Sequence, residues 1–64
     1  MNEETALIVE DDRRLATVFA QALQTAGFAI EKIYDGQKAL ERLEEIAPSI
    51  LLLDLHLPQA RDLG

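Results

Sequence analysis

Three carboxylates at the ends of two apolar segments are the residues of this chain best suited to chemistry. Glu10 and Asp11 directly follow the apolar segment 6–9, and Asp54 directly follows the apolar segment 50–53. Negative charges gathered at one edge of a sheet repel each other more strongly as the local dielectric falls. Such a cluster requires a cation, a raised pKa or separation by water. We favour a hard divalent cation, with Asp54 as the group that reacts.

Each of these acids also has a purely structural interpretation. An acidic residue between a strand and a helix often caps the helix, which would account for Asp11 and more readily for Asp12. Asp12 is therefore left out of the predicted site. An aspartate that ends an apolar strand is often a turn residue, but the pairing of Asp54 with the other acids across the predicted crevice favours a functional role. His56 is the single histidine, and no second histidine or cysteine is available for a zinc site, so we expect it in a surface loop.

The composition indicates one small globular domain. Hydrophobic residues make up 48% of the 64 residues and charged residues 28%, which differs from the polar balance of disordered segments. The net charge of -6 argues against direct binding to nucleic acid or an anionic membrane and favours a cation or a basic protein surface. With no cysteine, signal peptide or long apolar span in the sequence, we predict a cytoplasmic location.

The elements that position these acids follow from the periodicity. Residues 5–9 form a short apolar run typical of a buried strand. Asp12 is placed to cap the helix that follows, and Gly27 to end it. The helix is predicted from apolar residues at helical spacing, which form one stripe: Leu15, Val18, Phe19, Ala22, Leu23 and Ala26.

The second half of the chain repeats this pattern. Residues 28–34 predict a strand at the edge of the sheet, because Glu31 and Lys32 interrupt its apolar character. Asp35 and Gly36 are expected to turn the chain, and residues 50–53 form a third strand. Between them a second helix is predicted, which Pro48 prevents from continuing and whose charged face is expected to be solvated. Its apolar stripe contains Ala39, Leu40, Leu43, Ile46 and Ala47.

Alternating strands and helices are typical of an α/β fold with a parallel sheet and right-handed crossovers. The most apolar strands should lie innermost, so we predict the strand order 2-1-3. Ligands of open parallel sheets bind at the carboxyl ends of the strands where this order reverses. The strands that flank this crevice are the ones that end in Glu10, Asp11 and Asp54.

Three segments of the sequence, residues 7–12, 35–40 and 48–58, resemble the receiver domain of two-component response regulators. The resemblance covers about residues 5–58 and extends over the N-terminal half of such a domain. It implies a βαβαβ half of a flavodoxin-like receiver fold, in which residues 1–64 form one truncated domain.

The resemblance also implies a role for each matching residue. Asp54 would accept the phosphoryl group, and Asp11 would bind Mg²⁺ directly. Glu10 would act directly or through water, and the backbone carbonyl of His56 would complete the protein ligands, with Pro58 fixing the following loop. The implied partner is a histidine kinase or phosphotransfer protein of a phosphorelay, and the domain itself would be a signalling module and not an enzyme.

Two alternatives to phosphoryl acceptance remain open on the sequence. The chain matches half of a receiver and lacks a counterpart of the Ser or Thr and the Lys that the second half supplies, so it would be an interaction module with idle acids. In that case the chain would self-associate, either through its third strand, which is apolar on both faces, or through a helix face. The other possibility is that the chain is a fragment of a longer protein. A haloacid dehalogenase type of enzyme would need a second aspartate where His56 stands.

Overall fold

Strands and helices alternate along the chain as the sequence predicts. The computed structural model describes residues 4–54. Within that range it contains three strands and two helices: β1 (Thr5–Glu10), α1 (Arg13–Thr25), β2 (Ala29–Ile33), α2 (Gly36–Leu43) and β3 (Ile50–Asp54). The predicted α/β class is therefore confirmed.

The described strands form one parallel sheet in the order β2-β1-β3, which confirms the predicted topology. Thr5 of β1 lies opposite Ala29 of β2. At the other end of β1, Glu10 lies opposite Asp54 of β3. Strand β1 is therefore covered on both edges, and the carboxyl ends of β1 and β3 are adjacent.

The core lies on the two faces of β1, whose residues Ala6 to Glu10 have no exposed surface. On one face, Ile8 packs in a cluster with two alanines of α1, against which Phe19, Leu23, Ile30, Tyr34 and Leu52 pack. On the other face, Leu7 and Val9 pack against α2, in a cluster with Ala39, Ile33 and Leu43. Alternate residues of β1 therefore face different helices, as the period of a strand requires.

Helix α1 begins and ends where the sequence predicts. The Asp12 side chain accepts hydrogen bonds from the backbone N–H groups of Arg14 at 2.9 Å and Leu15 at 3.4 Å. After the helix, Gly27 adopts a φ of 102°. That left-handed conformation is costly for residues with a Cβ atom and accessible to glycine.

The face that α1 turns to the sheet differs from the predicted stripe. The residues buried against the sheet are Ala16 and Ala20, whereas Val18 of the predicted stripe is 57% exposed and Ala22 is also exposed. Phe19 and Leu23 flank the alanines and are half-buried. Small side chains on the buried face let the helix lie close to β1, and the larger residues close its sides.

Helix α2 differs from the prediction at both ends. Asp35 is its N-cap and not a turn residue, accepting hydrogen bonds from Gln37 N at 2.7 Å and Lys38 N at 3.3 Å. Gly36 is the first helical residue. The helix ends at Leu43, before Ile46, and its last turn tightens because Glu45 N bonds to the Arg42 carbonyl at 2.9 Å.

The charged face of α2 is not simply solvated. Arg42 forms a bidentate ion pair with Glu31 of β2, with Nε–Oε2 at 2.6 Å and Nη2–Oε1 at 3.1 Å. Its Nη1 also donates to Glu45 at 2.8 Å. Glu31 first and then Glu45 raise the pKa of Arg42, which stays cationic. The ion pair joins α2 to β2.

In the described part of the chain, neither helix is long and apolar enough to cross a membrane.

Candidate functional site

The predicted acids meet at one edge of the sheet. Glu10 ends β1, Asp54 ends β3, and the two residues are direct partners in the parallel register. Asp11 follows Glu10 in the chain. Because the carboxyl ends of parallel strands share one edge, the topology alone brings these residues together. His56 and Pro58 lie outside the described residues.

Glu10 is the buried member of this group. Its side chain has no exposed surface, and its Oε2 atom accepts a hydrogen bond from the backbone N–H of Asp12 at 2.9 Å. That hydrogen bond lowers the pKa of Glu10. Burial and the neighbouring carboxyl groups of Asp11 and Asp54 outweigh it, so the pKa is raised above its usual value of 4.5. The pKa of Glu10 therefore depends on both Asp11 and Asp54.

The other acids differ from Glu10 in their access to solvent. Asp54 is half-buried and Asp11 is exposed. Asp12 is also exposed, and its side chain caps α1, which supports its exclusion from the site. A reactant approaching from solvent would reach Asp54 while Glu10 stays enclosed, so the two strand ends present one accessible and one buried carboxyl group.

A divalent cation would suit an edge that carries several neighbouring carboxyl groups. Among residues 4–54, no group of three or more His, Cys, Asp or Glu side chains has the geometry of a ready-made metal site. Mg²⁺ commonly takes one or two carboxylates, with water and phosphate oxygens as its other ligands. A cation at this edge would offset the repulsion that raises the pKa of Glu10. Carboxylates of the kind found at this edge are ligands that Mg²⁺ accepts.

A cationic side chain at this edge was missed by the sequence analysis. The guanidinium carbon of Arg13, the first residue of α1, lies 4.0 Å from the centre of the Tyr34 ring, just after β2. This cation–π contact joins residues that are distant in sequence. No local pattern indicates it, because it depends on how β1 and β2 align.

Comparison with known proteins identifies the family. The family model of the response regulator receiver domain matches residues 6–62. The chain belongs to this family. The match covers nearly the whole sequence, and the parallel order β2-β1-β3 agrees with the receiver half that the sequence resembles. The predicted family membership is therefore confirmed.

Several curated response regulators are similar to this receiver segment. The DNA-binding response regulator MtrA of Mycobacterium tuberculosis is 42% identical over 81% of the chain and 23% of its own length. The transcriptional regulatory protein CreB of Escherichia coli is 34% identical over 91% of the chain and 25% of its own length.

The transcriptional regulatory protein TrcR of Mycobacterium tuberculosis is 35% identical over 81% of the chain and 20% of its own length. The chain therefore spans a quarter or less of the length of these relatives. No solved structure gives a significant match.

Proposed function

We propose that this receiver segment accepts a phosphoryl group on Asp54 in a cytoplasmic phosphorelay, with a histidine kinase or phosphotransfer protein as the donor. The observation that carries the proposal is the pairing of Asp54 with the buried Glu10 at the carboxyl edge of the sheet. A half-buried carboxylate beside further acids is accessible to a donor and adjacent to ligands for a cation. Membership of the receiver family supports the same role.

The transfer is a substitution at phosphorus. A carboxylate oxygen of Asp54 attacks the phosphorus of a phosphohistidine, the P–N bond breaks, and its electron pair leaves with the imidazole. The product is an acyl phosphate on Asp54. Glu10 is less suited to this attack because its side chain has no exposed surface and its pKa is raised, which favours the uncharged form.

Glu10 and Asp11 would hold Mg²⁺ together with Asp54 and the backbone carbonyl of His56. When bound, the ion would neutralise charge on the phosphoryl oxygens during transfer. The hydrogen bond from Asp12 N to Glu10 keeps that carboxyl group in place at the end of β1. Asp54 is fixed by the register of β3 against the same strand.

Incubation of the 64-residue chain with Mg²⁺ and acetyl phosphate tests the proposal. Attack by Asp54 would break the P–O bond to acetate, and intact mass spectrometry should detect one added phosphoryl group. Asp54→Asn should abolish the addition. Asp35→Asn is the matched control, because it removes an acid at the same edge but retains the cap of α2. Phosphorylation that persists in Asp54→Asn would refute the assignment.

Thermal unfolding of Glu10→Gln tests the cation site. The pKa of Glu10 is raised in the folded chain, so the stabilisation by its protonated form is complete below pH 4.5 and is lost as the pH rises through the raised value. Without divalent cations at neutral pH, Glu10→Gln should therefore unfold at a higher temperature than the wild type. Mg²⁺ should raise the unfolding temperature of the wild type more than that of the variant. Equal responses to Mg²⁺ would argue against Glu10 as part of the site.

A further inference from the structure

We propose that Tyr34 is a positioning residue that holds the guanidinium group of Arg13 away from the acids at the carboxyl edge of the sheet. Those acids are Glu10, Asp11 and Asp54. With Arg13 stacked on the Tyr34 ring, their oxygens are left to a divalent cation and are not occupied by an internal ion pair. The role of Tyr34 rests on the proposed cation site, which the experiments test separately.

Tyr34 lies in line with two of these acids. Val9 of β1 and Ile33 of β2 are partners in the parallel register, so the residues that follow them, Glu10 and Tyr34, stand beside each other. On its other side, Glu10 lies opposite Asp54. The three residues therefore form one row across the carboxyl edge of the sheet, in which neighbouring strands are about 4.8 Å apart.

This row lies on the face of the sheet that carries α1. Tyr34 packs against the cluster of that face, which includes Ile8 of β1 and is also contacted by Leu52 of β3. Side chains two residues apart along a strand share a face. The side chains of Glu10 and Asp54 therefore continue the α1 face at the ends of their strands.

Charge alone would direct Arg13 toward these acids. It is the first residue of α1, and the loop that joins it to Glu10 contains only Asp11 and Asp12. One strand spacing separates Tyr34 from Glu10, a distance that an arginine side chain can span. Among residues 4–54, however, Arg13 forms no ion pair, and its guanidinium carbon lies 4.0 Å from the centre of the Tyr34 ring.

The place of Arg13 in its helix supports a specific role for this stack. The N-terminal end of a helix carries a partial positive charge, which disfavours cations there. Helix α1 nevertheless begins with Arg13 and Arg14 and has no acidic residue in its first turn. The helix itself therefore does not favour a cation at this position. The face of the Tyr34 ring supplies the contact that stabilises it.

The two contacts open to Arg13 are of similar strength. A cation–π contact and an ion pair contribute comparable free energies when the side chain is exposed, as that of Arg13 is. Without the ring, the acidic row would be the nearest attractive group, and the planar guanidinium matches the geometry of a carboxylate. A divalent cation would then have to displace Arg13 before it could bind.

Calorimetric titration of the 64-residue chain with Mg²⁺ at neutral pH tests this role. Tyr34→Leu should weaken Mg²⁺ binding about two- to fivefold, the range expected for competition by an exposed ion pair. Tyr34→Phe keeps the ring and should bind like the wild type. Adding Arg13→Gln to the Tyr34→Leu chain should restore binding. Arg14→Gln in the same chain is the matched control, because it removes the same charge from the adjacent exposed residue and should not restore binding.

The NMR signal of the Arg13 Nε–H group locates the guanidinium without any metal. In the wild type and in Tyr34→Phe, the ring current should shift this signal upfield. In Tyr34→Leu it should move downfield as Arg13 pairs with a carboxylate. Circular dichroism establishes that each variant is folded. Tyr34→Met, a flexible replacement that adapts to the half-buried position, takes the place of Tyr34→Leu if the latter unfolds.

Three results would overturn the role of Tyr34. They are Mg²⁺ binding that stays weak when Arg13→Gln is added to Tyr34→Leu, equal restoration by Arg14→Gln, and an Arg13 signal that Tyr34→Leu does not move. A wild type that binds no Mg²⁺ would contradict the cation site itself. In that case a downfield move in Tyr34→Leu would still establish that the ring holds Arg13 away from the acids.

Discussion

The two faces of the sheet are covered to very different extents. The face toward α1 is closed by a helix of 13 residues, about 20 Å long, whose alanines lie directly on Ile8. The face toward α2 is covered by 8 residues, about 12 Å, which leave Leu40, Leu51 and Leu53 exposed. The α1 face therefore carries most of the packing that stabilises the chain. On the α2 face, the described residues leave apolar side chains exposed.

Of the substitutions that compare the two faces, shortening Ile8 should lower the free energy of unfolding most. Ile8→Ala removes a side chain with no exposed surface and should lower the free energy of unfolding by about 2–5 kcal/mol. That loss is comparable to the whole stability of a small domain, so much of the variant should be unfolded in water. Leu40→Ala on the other face should change the free energy by less than about 0.5 kcal/mol. Urea titration measures both losses, and similar values for the two variants would contradict the contrast.

Removing the helix caps should have an intermediate effect that differs between the faces. Asp12→Ala and Asp35→Ala each leave two backbone N–H groups without their carboxylate acceptor, at a typical cost of about 1 kcal/mol. We expect the full loss in global stability for Asp12→Ala, because α1 covers the core. Asp35→Ala should mainly allow local opening of α2, visible as faster amide exchange in residues 37–43. Asparagine at either position should restore stability, and a larger global loss from Asp35→Ala would reverse the comparison.

Breaking the ion pair on the α2 side should have the smallest effect. Arg42→Gln removes the contacts to Glu31 and Glu45, but the Arg42 side chain is 36% exposed, so solvent already screens them. The urea midpoint should fall slightly at low salt and match the wild type at high salt. Glu31→Gln is the paired control and should behave in the same way. A loss that persists at high salt would show that Arg42 contributes through packing.

Local patterns in the sequence predict most of the fold. The strand order follows from the apolar character of each strand, and Asp12 and Gly27 mark the ends of α1 by their chemistry. The buried face of α1 is harder to predict, because alanine is common on both buried and exposed surfaces. The Arg42–Glu31 pair and the Arg13–Tyr34 contact join separate elements, so their spacing in the chain gives no signal.

The sequence predicts some features of the candidate site and not others. The meeting of Glu10 and Asp54 follows from parallel topology, since each acid ends a strand beside the other. The burial of Glu10 and its raised pKa depend on the packing of the last residue of β1, which a sequence does not show. The assignment of phosphoryl transfer to Asp54, and of Mg²⁺ to the surrounding oxygens, stays a prediction.

Because Glu10 is an integral residue of β1, the alignment of the acidic edge is the alignment of the sheet itself. A slip of one residue between β1 and β3 would move Asp54 away from Glu10 and turn every side chain of β3 to the opposite face. A misassembled chain would thus lose the pairing of Glu10 with Asp54 together with its core. The position of Asp54 beside Glu10 would then report whether the sheet has assembled in register.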